Sequence, residues 1–208
     1  FTKIYEGFGV KFHFVPMGDL ETVKSKVKGN TKLIWVETPT NPMMNIIDIA
    51  AMAKIAKAAG ALLAVDNTFA TPALQQPLDQ GADIVMHSVT KYLGGHSDVV
   101  MGALVVKDAA LAERMYFIQN SSGAVCGPQD SFLVLRGLKT LSIRIKQHCI
   151  NGKEIAHWLK AHPKVDRVYW PGLESHANHD VAKRQMSDFG GMVSFTLKEN
   201  TIAAATKV

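Results

Sequence analysis

Short apolar runs recur through the first half of the chain, each stopped by a charged residue or a turn former. Leu33-Ile-Trp-Val-Glu37, Leu62-Leu-Ala-Val65, Asp83-Ile-Val-Met86 and Val99 to Val106 read as buried strands. Lys11 to Pro16 predicts another short strand. Helical spacing fills the intervals. Asp19 is placed to cap a helix reaching Lys28 and closed by Gly29-Asn30. Asp48 is placed to cap Ile49 to Ala59, ended by Gly60, and Pro72 to Gln80 predicts a short helix ended by Gly81. Strands that are continuously apolar and alternate with helices belong to a mostly parallel sheet covered on both faces, an α/β fold. Ligands of such sheets bind beyond the carboxyl ends of the strands. Glu37, Asp66 and Ser88 all fall at those ends.

The second half changes character. Asp108 to Asn120 predicts a helix and Ser121 to Pro128 a loop. From Gln129 a long helical pattern carries Leu133, Leu135, Leu138, Leu141, Ile145 and Ile150, with bends expected at Gly137 and Asn151-Gly152. Val165 to Trp170 reads as a strand, Ser175 to Met186 as a polar loop and helix, and Gly190 to Leu197 as an alternating strand. The expected division is a large domain over residues 1–145, followed over 146–208 by a connector helix and the start of a smaller α+β domain. The first residue is Phe1, and Ala-Ala-Ala-Thr-Lys-Val208 reads as a helix still under way, so the sequence reads as a fragment of a longer enzyme.

Composition narrows the classes. The 208 residues are 47% hydrophobic and 20% charged, as in an ordinary soluble domain with a real core. No apolar run approaches the ~20 residues of a membrane helix. The formal charge of +5 is spread along amphipathic segments such as Glu21 to Lys28, and no basic run is interleaved with aromatics, so no nucleic-acid partner is expected. Cys126 and Cys149 lack metal-ligand spacing and suit a reducing, cytoplasmic compartment. The Gly-x-Gly-x-x-Gly dinucleotide fingerprint is absent.

The chemistry concentrates in Ser88-Val-Thr-Lys-Tyr-Leu-Gly-Gly-His-Ser-Asp98. A lysine at a strand end is usually a solvated charge. Lys91 differs because Ser88 and Thr90 alternate just before it, and two hydroxyls can donate to one phosphate. An amine that condenses with an aldehyde must be uncharged, so burial or a neighbouring cation is expected to favour the free base. Asp66 ends an apolar strand. That is commonly the place of a turn aspartate, but it also suits a carboxylate holding the proton of a pyridoxal ring nitrogen. Thr68 is placed to touch such a ring, although loop filler is the commoner role. Asn41, in Glu37-Thr-Pro-Thr-Asn-Pro42, fits a pre-proline turn as well as a ligand to a ring hydroxyl or a substrate carboxylate. Glu37 reads as structural. His87 reads as packing and His96 as a satisfied loop histidine. His176 and His179 lack a third ligand, so no metal site is expected.

Taken together, Glu37-Thr-Pro-Thr-Asn-Pro42, Val65-Asp-Asn-Thr-Phe69, Ser88 to Gly102 and Leu135-Arg-Gly-Leu-Lys-Thr-Leu141 resemble the Cys/Met-metabolism family of pyridoxal-phosphate enzymes, the transsulfuration enzymes of fold type I, aspartate-aminotransferase-like. Gln119 to Val125 and Tyr169-Trp-Pro-Gly172 draw the resemblance towards the cystathionine γ-lyases. The resemblance implies pyridoxal 5'-phosphate as cofactor, held covalently by Lys91, which afterwards acts as acid and base. It implies Asp66 against the pyridinium, Ser88 and Thr90 on the phosphate, and Asn41 beside the phenolic oxygen and substrate carboxylate. It implies γ-elimination of cystathionine to cysteine, 2-oxobutanoate and ammonia. Cystathionine γ-synthase, cystathionine β-lyase and methionine γ-lyase chemistry are the alternatives within the family, and an inactive fragment or interaction module is the alternative outside it. A small sulfur amino acid is the expected substrate, and a homotetramer, a dimer of dimers, the expected assembly. The family's phosphate-loop glycine and ring-stacking tyrosine lie upstream of Phe1, its carboxylate-gripping arginine lies beyond Val208, and Cys126 stands where relatives often carry proline. If these residues were the whole molecule, little catalysis is expected.

Overall fold

A computed structural model describes residues 1–208. Its principal sheet holds four strands in the order β1-β2-β3-β4: Leu33–Glu37, Leu62–Asp66, Ile84–Ser88 and Gly102–Val106. The first three are parallel, and β4 returns antiparallel to β3. The register sets Glu37 beside Asp66, and Asp66 beside Met86. Three parallel strands therefore end on one edge in Glu37, Asp66 and Ser88, as the pattern predicts.

The short helix α1 (Thr2–Tyr5) opens the chain, and Phe1 before it sets its ring edge-on to Trp35. Helices α2 (Leu20–Lys26) and α3 (Ile49–Ala58) are placed by their caps. Asp19 accepts from the Glu21 and Thr22 amides, and Asp48 from the Ala51 amide, satisfying donors that a helix start leaves open. Successive strand residues face opposite ways, so Ile34, Val36, Leu63 and Val65 share one face, where they pack with Ile49, Met52 and Ile55 of α3. The opposite face carries Trp35, Glu37, Asp66, Met86 and Ser88 by the same alternation.

After α4 (Thr71–Leu74) and a 3-10 turn over Pro77–Gln80 come three helices: α5 (Ala109–Ser122), α6 (Pro128–Leu138) and α7 (Leu141–Ala161). Helix α6 backs the segment after β3 through Val134, which packs with Val89, Leu93 and Val99. Helix α7 joins a cluster with Ile46, Leu74 and Met186, and leads to a second, antiparallel sheet of β5 (Val165–Tyr169) and β6 (Ser194–Leu197). Trp170, 2% exposed, anchors that end with Ala156 and Leu173, and its indole N–H donates to the Gly190 carbonyl. Helix α8 (His179–Gln185) lies between β5 and β6 in sequence, and α9 (Ile202–Ala205) follows β6.

Several expectations need correction. Lys11–Pro16 forms no strand: it has no ladder partner, Pro16 has no N–H to give, and Val15 and Met17 pack on the α2–α3 core instead. The helix expected over Pro72–Gln80 breaks at Gln75, whose backbone is extended (φ −145°, ψ 135°). Gln76 precedes a proline, which disfavours helical backbone there. Strand β4 begins only at Gly102, and β6 only at Ser194. The long helix is interrupted at Lys139–Thr140, while α7 runs unbroken through Asn151-Gly152. Gly152 serves close packing rather than a bend, because an added Cβ would sit 2.7 Å from the Gly190 carbonyl oxygen.

Candidate active site

The edge where β1, β2 and β3 end brings the predicted residues together. Asp66 closes β2, and its Oδ1 accepts from the Thr68 amide at 3.0 Å and the Thr68 hydroxyl at 2.5 Å. The Thr68 Oγ1 in turn accepts the Ser88 amide at 2.8 Å. The Ser88 carbonyl then accepts the Lys91 amide at 3.1 Å. A continuous hydrogen-bonded path thus runs from the carboxylate of Asp66 to the backbone of Lys91. Thr68, which the sequence ranks low, is its central link.

Val89 and Leu93 turn inward against α6, at 3% and 9% exposure, and the side chain of Lys91 between them is exposed. Burial, one of the two means expected to favour the free base, is not supplied to Lys91 by these residues. The turn itself is tight. The Gly94 amide donates to Val89 O at 2.7 Å, and Gly95, at φ 76°, donates to Lys91 O at 2.8 Å. The left-handed backbone at Gly95 favours glycine. His96 Nδ1 lies 2.8 Å from the Gly94 carbonyl, a satisfied loop histidine as its context predicts.

The two hydroxyls differ. Ser88 Oγ has no protein partner, whereas Thr90 Oγ1 accepts the Met101 amide at 3.0 Å and donates to the Met101 carbonyl at 3.3 Å. That pairing engages Thr90 as both acceptor and donor, so a phosphate would have to draw its proton away from the Met101 carbonyl. Asn41 is exposed, on a loop whose start is tied down. Its amide donates to Glu37 Oε1 at 3.0 Å, and the Thr38 amide donates to Asp66 O at 3.2 Å. Burial is the main reason the Glu37 carboxyl is pushed up, with the neighbouring Asp66 charge adding to it and the Asn41 amide opposing it. Glu37 therefore serves as the cap of the Asn41 loop.

The open groups on this edge are one hydroxyl, the Asp66 Oδ2 and the Lys91 amine, since the ion pairs lie elsewhere. A hydroxyl, a carboxylate oxygen and an amine are the donor set that a phosphorylated aldehyde with a basic ring nitrogen requires. The residues present fit pyridoxal phosphate.

Two features were invisible in the sequence. Arg144 of α7 clips the lysine turn to the end of α6, donating to Tyr92 O at 2.8 Å, Gly137 O at 2.9 Å and Thr140 Oγ1 at 3.1 Å. Gln75, read as part of a short helix, is 1% exposed and bonded to both Thr38 and Asn67. No spacing rule marks either one, because each matters through partners far away in the chain.

Burial lowers the pKa of two histidines. His87 is 5% exposed with its Nδ1 unpartnered; burial dominates, and the Asp66 charge opposes it. For His176 burial again dominates; the Met44 carbonyl opposes it, while His179 and Arg167 add to it. Folded-state pKa values below the ordinary 6.5 mean that the unfolded chain binds more protons at mildly acid pH. Their stability contribution is whole above 6.5 and is lost as pH falls through the folded values. Urea unfolding between pH 7.5 and 5 is expected to show falling stability, with a shallower slope in His176→Asn. An unchanged slope would remove His176 from this account.

A family model described as Cys/Met metabolism PLP-dependent enzyme matches residues 1–208. A cystathionine beta-lyase of Coxiella burnetii is 53% identical over 91% of this chain and 49% of its own length. A cystathionine gamma-synthase of Mycobacterium leprae is 50% identical over 97% of this chain and 52% of its own length. The solved structure of a cystathionine gamma-lyase from Lactobacillus plantarum complexed with L-serine superimposes with a TM-score of 0.93 at 46% identity, over 95% of this chain and 52% of that one. The chain therefore spans about half the length of the relatives it matches, and it shares their fold, the mostly parallel sheet with helices that the strand pattern predicts. On the match along its whole length, the chain belongs to the Cys/Met metabolism family of PLP-dependent enzymes.

Proposed function

We propose that this chain carries the cofactor-holding half of a carbon–sulfur lyase that performs γ-elimination on cystathionine. The observation that carries the reading is the hydrogen-bonded path from Asp66 through Thr68 and Ser88 to Lys91, on the edge where three parallel strands end. Bound pyridoxal phosphate supplies an electron sink for negative charge developing at the substrate α-carbon. Asp66 Oδ2 would hold the proton on the ring nitrogen. The Ser88 hydroxyl would bind the phosphate, joined by Thr90 once its proton turns from the Met101 carbonyl. Asn41 would reach the phenolic oxygen and the substrate carboxylate, and Thr68, which holds Asp66 in place, would touch the ring. Lys91 would hold the cofactor covalently through its amine and, once freed by substrate, would take the α-proton. γ-Elimination then requires a base to take the β-proton and a proton passed to the sulfur as the γ-carbon–sulfur bond breaks, so that cysteine leaves as the thiol. Hydrolysis of the four-carbon remainder gives 2-oxobutanoate and ammonia.

Residues 1–145 would form the cofactor domain, with 146–208 the connector and the start of the small domain. A cytoplasmic homotetramer, built as a dimer of dimers, suits the reading, and no helix here is long and apolar enough to cross a membrane. Incubating the full polypeptide with cystathionine is expected to give 2-oxobutanoate. Pyruvate with homocysteine would instead assign the β-lyase reaction, which the 53% identity to a β-lyase favours as the second reading. Net synthesis of cystathionine from an acyl-homoserine and cysteine, with no 2-oxobutanoate from cystathionine, would assign γ-replacement. Asp66→Asn is expected to lower kcat by about 10²-fold or more, since it removes a preorganised charge from the reacting ring. A kcat within twofold of wild type would remove Asp66 from its role.

A further inference from the structure

Gln75 stands just past α4, in the extended residue that breaks the helix expected there. Its Nε2 donates to the Thr38 carbonyl at 3.1 Å and to Asn67 Oδ1 at 2.8 Å, and its Oε1 accepts Gln185 Nε2 at 3.0 Å. Asn67 Nδ2 returns a bond to the Gln75 carbonyl at 2.9 Å. A side-chain amide has two N–H donors and one carbonyl, and here both donors and the oxygen are engaged. Thr38, Asn67 and Gln75 are at most 1% exposed, so no bulk water can replace a lost bond. Both partners matter to the site. Thr38 begins the loop that carries Asn41, and Asn67 sits between Asp66 and Thr68. Gln185 extends the chain of amides outward to α8. It also donates to Ile47 O at 3.0 Å and accepts the Ile49 amide at 3.3 Å, and it is hydrogen-bonded to none of Asn41, Asp66, Thr68, Ser88, Thr90 or Lys91.

We propose that Gln75 is a positioning residue that fixes the Asn41 loop against the Asp66–Thr68 strand end, and that Gln185 transmits the placement of α8 to it. The inference rests on reading that edge as the cofactor site. The buried amide network is satisfied throughout, so displacing one member strands the polar groups of its neighbours. Gln75→Glu keeps the size but replaces two donors with acceptors facing the Thr38 carbonyl and the Asn67 Oδ1. Gln75→Met keeps the length and removes every polar group. Gln185→Leu breaks the network at its far end.

Amide hydrogen exchange on the full polypeptide without cofactor gives a readout that needs no turnover. In both Gln75 variants, segments 38–42 and 66–68 are expected to exchange about 10-fold faster, while 52–56 in α3 keeps its rate, because a stranded buried amide costs about one factor of ten. The dissociation constant of pyridoxal phosphate is expected to rise by about 10-fold as well, with kcat falling more than KM rises. Gln185→Leu is expected to repeat the pattern at about 3-fold, and it carries the test if the Gln75 variants do not fold. Wild-type exchange in folded Gln75→Met, or in Gln185→Leu when that variant stands alone, would overturn the proposal. Faster exchange with wild-type cofactor affinity would also overturn it, provided Asp66→Asn weakens the cofactor. If Asp66→Asn leaves the cofactor unaffected too, the reading of the site has failed, and the exchange rates alone decide whether the relay positions these segments.

Discussion

Lys91→Ala is expected to lose covalent retention of pyridoxal phosphate together with turnover. The visible absorbance of the full polypeptide with cofactor should vanish after dialysis and fail to return on re-addition. Turnover should fall by at least about 10³-fold, since one residue supplies both the covalent link and the base that takes the α-proton. The fold should survive. Lys91 is exposed between Val89 and Leu93, which carry the packing against α6, so alanine removes no buried contact and breaks no ion pair. The two readouts separate the roles. Lost turnover with retained visible absorbance would leave Lys91 as the base alone, with another amine as the link.

Gly137→Ala is expected to be the most damaging small substitution near the site. A Cβ there would lie 2.2 Å from the Gly94 carbonyl oxygen and 3.3 Å from that of Leu93. Both are backbone atoms, so no side chain can swing aside. Helix α6 or the turn after Lys91 must move, and overpacking of this kind costs about 1–3 kcal/mol or more. The same shift loosens the grip of Arg144, which holds Gly137 O and Tyr92 O together. A thermal midpoint lower by about 3–10 °C is expected for a domain of this size, with weaker cofactor retention. Gly152→Ala strains a second backbone contact, at the Gly190 oxygen, but away from the lysine turn. It should lower the midpoint while leaving cofactor affinity within about twofold, since distant independent sites act separately.

The parts of the fold that could be read from the chain are those decided locally. Strands β1, β2 and β3 were legible because each is an apolar run stopped by a charged or polar residue, and α3 because Asp48 caps a clean helical period. The same abrupt stops exposed Glu37, Asp66 and Ser88 as neighbours on one edge. Failures arose where distant partners decide. Lys11–Pro16 has strand composition but no strand beside it. Pro72–Gln80 has helix composition, but Gln75 gives up helical backbone and is held by Asn67, Thr38 and Gln185. Thr90 carries the hydroxyl that the motif demands, yet only coordinates reveal that Met101 holds it. Arg144 and Gly137 meet the lysine turn from about fifty residues away in sequence, a closeness no local rule reports.

The most direct measurement of the central claim is chemical. Treating the cofactor-loaded full polypeptide with borohydride makes the link between protein amine and cofactor irreversible, and peptide mass spectrometry then locates it. The account predicts a single phosphopyridoxyl adduct, on the peptide containing Lys91 and at that residue. An adduct on any other lysine, or none at all, would contradict it.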